Sequence, residues 1–386
     1  MENFVFHNPV RIIFGRDIIP QIGKEISVEA KKVLLLYGQG SIKKNGIYEQ
    51  VCDSLKKAQM EWVDCPGISP NPTITQVREG IALCRENHLQ AVLAVGGGSV
   101  IDAGKAIAAG VCYEGDVWDG FAKKATWNQA IPLYTLLTLS ATGSEMNGAA
   151  VISNLELQTK ASFYSSGIFP KASFIDPSLQ RYLPPEQTIF GAMDMMAHVL
   201  EFYFNGTQNT DFQDFFAEAL MKTILKQLDL VLEDPDNYEA RAQLVWSGTL
   251  ALNGLNGAGR GVGDFSSHRI GHALSACYNL THGATLSIVM PAWMRYVYKN
   301  DISKFARFGR EVFACEGSEE DLASKGIHAF QEWIRKLGLP LSLVDVGIRM
   351  DAIQGLARNP SIPYPLGKLM PLNVEDVEGI LRLSNY

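Results

Sequence analysis

The stretch AVLAVGGGSVIDAGKAIA, Ala91 to Ala108, decides how the chain is read. Its first five residues are apolar and include two valines. They are cut short by Gly96, Gly97 and Gly98, and so read as a fully buried strand. Apolar residues at helical spacing follow, with Ser99 where an N-cap would stand and Asp102 three positions later in capping-box spacing. A strand that passes through glycines into a helix exposes backbone N–H groups at the helix N-terminus. There the helix dipole and the missing Cβ atoms favour a phosphate. Taken alone, the motif is equally a tight turn before a well-capped helix.

The flanking sequence repeats the same rhythm. KKVLLLY (Lys31 to Tyr37) reads as a buried strand followed by glycines and a helix, and MEWVDC (Met60 to Cys65) leads through PGISPNPT to another helix. Alternating strands and helices predict a doubly wound, mostly parallel sheet. A second glycine pair, YGQGS (Tyr37 to Ser41), also ends a strand, and two such ends would lie side by side at the carboxyl edge where these sheets bind ligands. In a standard dinucleotide fold an acid near the second strand end bonds the ribose 2'-hydroxyl. This loop offers Gln39, Ser41, Lys43 and Lys44 instead, which favours NADP(H) over NAD(H). The later GAGRGVG (Gly257 to Gly263) follows a helix and reads as a flexible connection.

Beyond Pro177, Pro184 and Pro185 strand patterns nearly vanish, and helical periods such as Asp211 to Leu232, Ala240 to Leu255 and Ile302 to Ala314 take over. An α/β dinucleotide-binding domain over residues 1–183 and an all-α metal-binding domain over residues 184–386 are therefore expected, with the reaction site between them. A length of 386 residues suits two domains, and 47% hydrophobic with 19% charged residues is ordinary for a soluble globular protein. A net charge of -7, with no Lys/Arg run longer than two, gives no footprint for nucleic acid. Six scattered cysteines, no secretion signal and no apolar run of the roughly 20 residues that span a bilayer point to a reduced, cytoplasmic protein away from membranes.

The helical half opens with GAMDMMAHVLEFYFNG, Gly191 to Gly206, an apolar helix interrupted by Asp194, His198 and Glu201 on one narrow stripe. SSHRIGHALSACYNLTHG places His268 and His272 on one helix face and His282 at the start of the next element. Two helices that each present such a pair can enclose a metal ion, and a divalent cation is the simplest partner for a buried carboxylate among neutral imidazoles. The set suits Fe2+ or Zn2+. Spacing does not say which histidine stays out of the ligand set to carry a proton. Glu201 could be a ligand or an orienter of one, but its place at the end of the apolar run assigns it to solvent.

With YGQGSIKKNG, PNPT, GGGSVIDAGK, TLSATGSEMN, the Asp194 and His198 pair and HRIGHALSACYNLTHG in this order, the chain resembles the iron-containing, or group III, alcohol dehydrogenase family along its whole length. The resemblance is to its butanol dehydrogenase and broad aldehyde reductase branch. It implies a metal bound by Asp194, His198, His268 and His282, with His272 beside the substrate as a proton carrier. It also implies that Gly38, Gln39, Gly40, Ser41, Asn71, Gly97, Gly98, Ser99, Asp102, Thr138, Thr142, Asn147 and Lys160 line the cofactor cleft, with Leu179 toward the nicotinamide. In TLSATGSE many relatives carry a proline or a second threonine, a departure that bears on the adenosine contacts. The implied activity is hydride transfer between NADP(H) and a short- to medium-chain primary alcohol or aldehyde. The alternatives are an NAD-linked polyol dehydrogenase, a nicotinamide-using lyase on the same scaffold, or a nucleotide-binding protein without catalysis. A homodimer is also implied, and ENFVFHNPVRIIFG reads as two short strands around Asn8-Pro9 whose hairpin could pair with a partner.

Overall fold

The computed structural model describes residues 1–385. The chain divides into two compact units: His7–Thr188 with Leu230–Thr249, and Met1–Phe6 with Ile189–Asp229 and the residues from Leu250 onward.

The first unit holds a six-stranded, wholly parallel sheet in the order β1-β8-β5-β4-β2-β3. Its strands are β1 (Arg11–Phe14), β2 (Lys32–Tyr37), β3 (Glu61–Cys65), β4 (Ala91–Gly97), β5 (Leu133–Leu139) and β8 (Ala172–Ile175). Strand side chains alternate between faces, and here both faces are buried. Leu34, Leu36, Val92 and Ala94 enter one core with the helices Ile74–Glu86 and Gly98–Val111. Val33, Leu35, Leu93 and Val95 enter the other, with the helix Ile47–Lys57. A strand buried on both sides reads as an unbroken apolar run, which is why KKVLLLY and AVLAV were legible. β2 and β4 are direct neighbours, Tyr37 opposite Val95, so the two glycine-rich ends do lie side by side.

Two features of this unit depart from the sequence reading. The N-terminal segment forms one strand, not a hairpin: β1 runs parallel to β8 from Arg11. Pro9 has no N–H to donate, and the Asn8 side chain is engaged, its Oδ1 accepting from the Val10 N–H and its Nδ2 donating to the Met146 carbonyl. The second is an antiparallel pair, β6 (Ala149–Asn154) with β7 (Thr159–Tyr164), turned by Asn154 Oδ1 accepting from the Glu156 and Leu157 N–H groups. Its strands are short and partly polar, with little periodic signal.

The second unit is helical. Asp211–Glu233 and Ile302–Phe313 match the expected spans to within a residue; the helix expected over Ala240 to Leu255 is Tyr238–Ala251, most of which belongs to the first unit, and it ends ahead of Gly254 at φ +94°. Phe204 stacks on Phe305 with centroids 4.0 Å apart in its core. The GAGRGVG stretch, expected as a flexible connection, is packed around Arg260 and exposed at Gly261 and Val262. Arg260 is buried and ion-paired with Asp214, and the Arg260 and Val262 carbonyls accept from Asn205 Nδ2. No helix among the described residues is long and apolar enough to cross a membrane.

Candidate metal centre and cofactor edge

The helix Pro185–Tyr203 buries its methionines and leucine in the helical core, and its polar stripe is buried with them: Asp194, His198 and Glu201 are 3%, 5% and 0% exposed. His268 and His272 come from the helix Ser266–Tyr278. Asn279 ends that helix in the left-handed region at φ 52°, and the chain reverses so that His282 becomes the first residue of His282–Val297. One oxygen, Asp194 Oδ1, is the focus. His198 Nδ1 and His268 Nε2 lie 3.6 Å from it and His282 Nε2 lies 3.7 Å from it.

These separations are too long for hydrogen bonds. They are close to the edge of about 3.4 Å expected for a tetrahedron with ligand bonds of about 2.1 Å. Asp194 Oδ1, His198 Nδ1 and His268 Nε2 are all buried without a hydrogen-bond partner, and such orphaned lone pairs are costly unless a cation receives them. Asp194, His268 and His282 form the tightest set, with ligand atoms all within 4.8 Å of one another. His198 stands just outside it, its ring 4.5 Å from that of His268. Three imidazoles and a carboxylate are a donor set suited to a first-row divalent metal, so the residues fit the ion the sequence implied.

The electrostatics agree. Burial pushes His198 down to about 4, leaving it neutral. Burial opposes ionisation of Asp194, yet the neighbouring His198, His268 and His282 hold its carboxyl well below the usual carboxylate range. His268 moves the other way: burial works against its proton, but the Asp194 and Glu201 carboxylates draw it up to about 9. Two buried acids thus recruit one proton where a divalent ion would serve both.

Glu201 is not on the surface. Its Oε1 accepts from His268 Nδ1 at 2.8 Å and from the His268 backbone N–H at 3.2 Å. The loop before the Ser266–Tyr278 helix covers the end of the apolar helix: the Asp264 N–H donates to the Glu201 carbonyl, and Phe202 fills the space over Gly257 and Gly263. The exposure expected from sequence failed because the glycine-rich loop reads as mobile while it folds back as a lid. His272 is buried, its ring centroid 5.2 Å from that of His282.

In the α/β unit the cofactor candidates gather at the carboxyl edge. The Gly98–Val111 helix has Gly97 at its N-cap with no side-chain cap, so the expected Ser99 and Asp102 capping box does not form. Ser99 Oγ donates instead to the Pro70 carbonyl at 2.5 Å. Asp102 faces inward, accepting from Ser144 Oγ and the Val151 N–H, which occupies both its oxygens. The uncapped N–H groups are left for an anion. Gly98 must lack a side chain, since a Cβ there would lie 2.3 Å from Thr142 Oγ1, and Gly40 needs glycine for its φ of +98° while the space above it is open. Lys160, on β7, donates to Asn71 Oδ1 at 2.9 Å, which ties two further candidates together beside Ser99. Thr138 sits near the end of β5. Leu179 packs in the core with Tyr37 and Ile42, next to a cavity lined by Asn45, Ile47, Ser178 and Arg181.

Sequence reasoning missed Lys105. This wholly buried ammonium donates to Ser144 Oγ, Asn147 Oδ1 and the Ala149 carbonyl at 2.7–2.9 Å, and burial drives it down to about 8 against the pull of Asp102 and Glu145. It holds the turn that carries Thr142 and Asn147. Its signal was present, a lone lysine in the apolar run AGKAIAAG.

Comparison with known proteins accounts for both regions. Residues 9–177 match the iron-containing alcohol dehydrogenase family, and residues 188–384 match the C-terminal domain of the Fe-containing alcohol dehydrogenase family. A probable NADH-dependent butanol dehydrogenase 2 of Bacillus subtilis (strain 168) is 42% identical with 100% of each chain covered. The NADPH-dependent aldehyde reductase YqhD of Escherichia coli (strain K12) is 36% identical, covering 93% of this chain and 92% of that one. The crystal structure of NADH-dependent butanol dehydrogenase A from Thermotoga maritima superposes with a TM-score of 0.98 at 48% identity, covering 100% of this chain and 99% of that one. The chain therefore belongs to the iron-containing alcohol dehydrogenase family, on its butanol dehydrogenase branch.

Proposed function

We propose that this protein is a metal-dependent oxidoreductase that interconverts short- to medium-chain primary alcohols and aldehydes with NAD(P)(H). The observation that carries the reading is the convergence of His198, His268 and His282 on Asp194 Oδ1, where Asp194 Oδ1, His198 Nδ1 and His268 Nε2 are buried without hydrogen bonds. An Fe2+ or Zn2+ ion held there supplies Lewis acidity toward an alcohol or aldehyde oxygen. The dinucleotide supplies hydride donation and acceptance at its nicotinamide. Asp194 balances part of the ion's charge, and the neutral His198 contributes a lone pair. His272, left out of the ligand set, passes a proton to or from the substrate oxygen. The uncapped helix end at Gly97 to Ser99 and the open space over Gly40 receive the diphosphate of the cofactor, with Asn71, Thr138, Thr142, Asn147 and Lys160 around it.

The expected preference for NADP(H) draws on the neutral Gln39 and Ser41 and on the cations Lys43 and Lys44. Lys43 does keep a cation beside the loop, 4.5 Å from the ring centroid of Tyr48. The names of the relatives do not support the preference, since those in Bacillus subtilis and Thermotoga maritima are called NADH-dependent and the Escherichia coli one NADPH-dependent. Both cofactors therefore belong in the assay. A lyase acting on a phosphate-bearing acid fits less well, because Arg260, one of the few cations near the metal motifs, is committed to Asp214. A homodimer joined along the edge strand β1 is also proposed, and light scattering measures it. The deciding experiment for the function is a panel of C2 to C6 alcohols and aldehydes against NADH and NADPH, before and after chelation. Net turnover that is lost on stripping and returns with Fe2+ or Zn2+ supports the reading. Tight cofactor binding with no turnover anywhere on the panel contradicts it.

A further inference from the structure

Glu201 has no part in the function proposed above, yet it is the most completely buried carboxylate at the metal centre. Its Oε1 holds two groups of one residue, the ring Nδ1 of His268 at 2.8 Å and the backbone N–H of His268 at 3.2 Å. His268 is the third residue of its helix, so that N–H has no partner within the helix. Phe265, at the N-cap, makes no side-chain cap. A single oxygen on the neighbouring helix therefore fastens both the start of the Ser266–Tyr278 helix and the imidazole it carries, and an anion at that place also suits the helix dipole. With Nδ1–H committed to Glu201, the lone pair of His268 must sit on Nε2, the nitrogen directed at Asp194 Oδ1. The other oxygen, Oε2, is buried without a hydrogen bond, and the Glu201 charge lies near Arg269, the next residue of that helix.

We infer that Glu201 is a positioning residue of the metal centre. It fixes the tautomer and direction of His268 and strengthens it as a donor to the ion. The inference rests on the metal reading above, and the test separates the two. Wild type, Glu201→Gln, Glu201→Leu and Asp194→Ala are compared by chelator competition for Zn2+ and by the visible absorption of Co2+-loaded protein, with circular dichroism as the control for folding. The amide in Glu201→Gln still accepts from both N–H groups but carries no charge, so its metal affinity falls by a few-fold and its Co2+ bands shift. Glu201→Leu removes acceptor and charge together, and affinity falls by roughly 10–100-fold. If Glu201→Leu does not fold, Glu201→Gln decides alone: weakened binding with shifted bands supports the role, and wild-type affinity with unshifted bands overturns it. Wild-type affinity in both variants, while Asp194→Ala loses the metal, overturns the role and leaves the metal reading standing. A wild-type protein that takes up no ion overturns both.

Discussion

The two candidate regions are built by opposite means. The metal centre in the helical unit is built from side chains whose lone pairs have nowhere else to go: Asp194 Oδ1, His198 Nδ1 and His268 Nε2 are buried without partners. The cofactor edge of the α/β unit is built largely from what is missing, a side-chain cap at Gly97, a Cβ at Gly98, and anything above Gly40. A site of the first kind is costly to leave without its ligand and sensitive to loss of any single donor. A site of the second kind spreads its affinity over several backbone N–H groups, so single changes there shift affinity by degrees.

That contrast sets the order of expected effects. Asp194→Ala should be the most damaging change, removing the oxygen on which three imidazoles converge. Metal content by elemental analysis and alcohol turnover should fall together, by more than the roughly 100-fold ceiling typical of an outer-shell partner. His272→Ala should leave the metal in place and lower kcat by about 10²–10⁴-fold, the usual range for a lost proton carrier. Equal metal loss in His272→Ala would move this residue into the ligand set. Gly98→Ala forces a Cβ to within 2.3 Å of Thr142 Oγ1. Thermal unfolding should register a cost of about 1–3 kcal/mol, and KM for the dinucleotide should rise while metal content stays at the wild-type value. An unchanged KM would show that the diphosphate does not rest on this helix end.

The smallest effect belongs to Lys43→Ala. Lys43 is exposed and lies over the Tyr37 and Tyr48 rings, so its removal should lower kcat/KM for NADPH by roughly a few-fold and leave NADH untouched. Equal effects on both cofactors would remove the lysine from the discrimination.

The same contrast explains what could be read in advance. The pairs Asp194/His198 and His268/His272 stood out because polar residues at helical spacing in an apolar helix are anomalous, whereas the choice of His282 over His272 as a ligand came from the family resemblance and not from spacing. The sheet was legible because strands buried on both faces are continuous runs of Val, Leu and Ala. Glu201 was misjudged because its burial depends on the loop Asn256 to Asp264, whose glycines give no sign that it folds back over the helix end. Asp102 was misjudged because capping-box spacing describes local geometry only. A tertiary partner, Ser144, took its side chain instead. The β6–β7 pair and the single N-terminal strand were illegible for a similar reason, since short, half-polar strands are fixed by what they pair with more than by their own pattern.

If the Asp194 cluster holds one divalent ion on which the chemistry depends, ion and activity must leave and return together. Chelator-stripped protein titrated with Fe2+ or Zn2+, with aldehyde-dependent NAD(P)H oxidation and bound metal measured on the same samples, tests it most directly. Stripped protein should be inactive and should recover in proportion to bound ion, saturating at one ion per chain, with no recovery in Asp194→Ala. Full activity in metal-free protein, or recovery in Asp194→Ala equal to wild type, would contradict it.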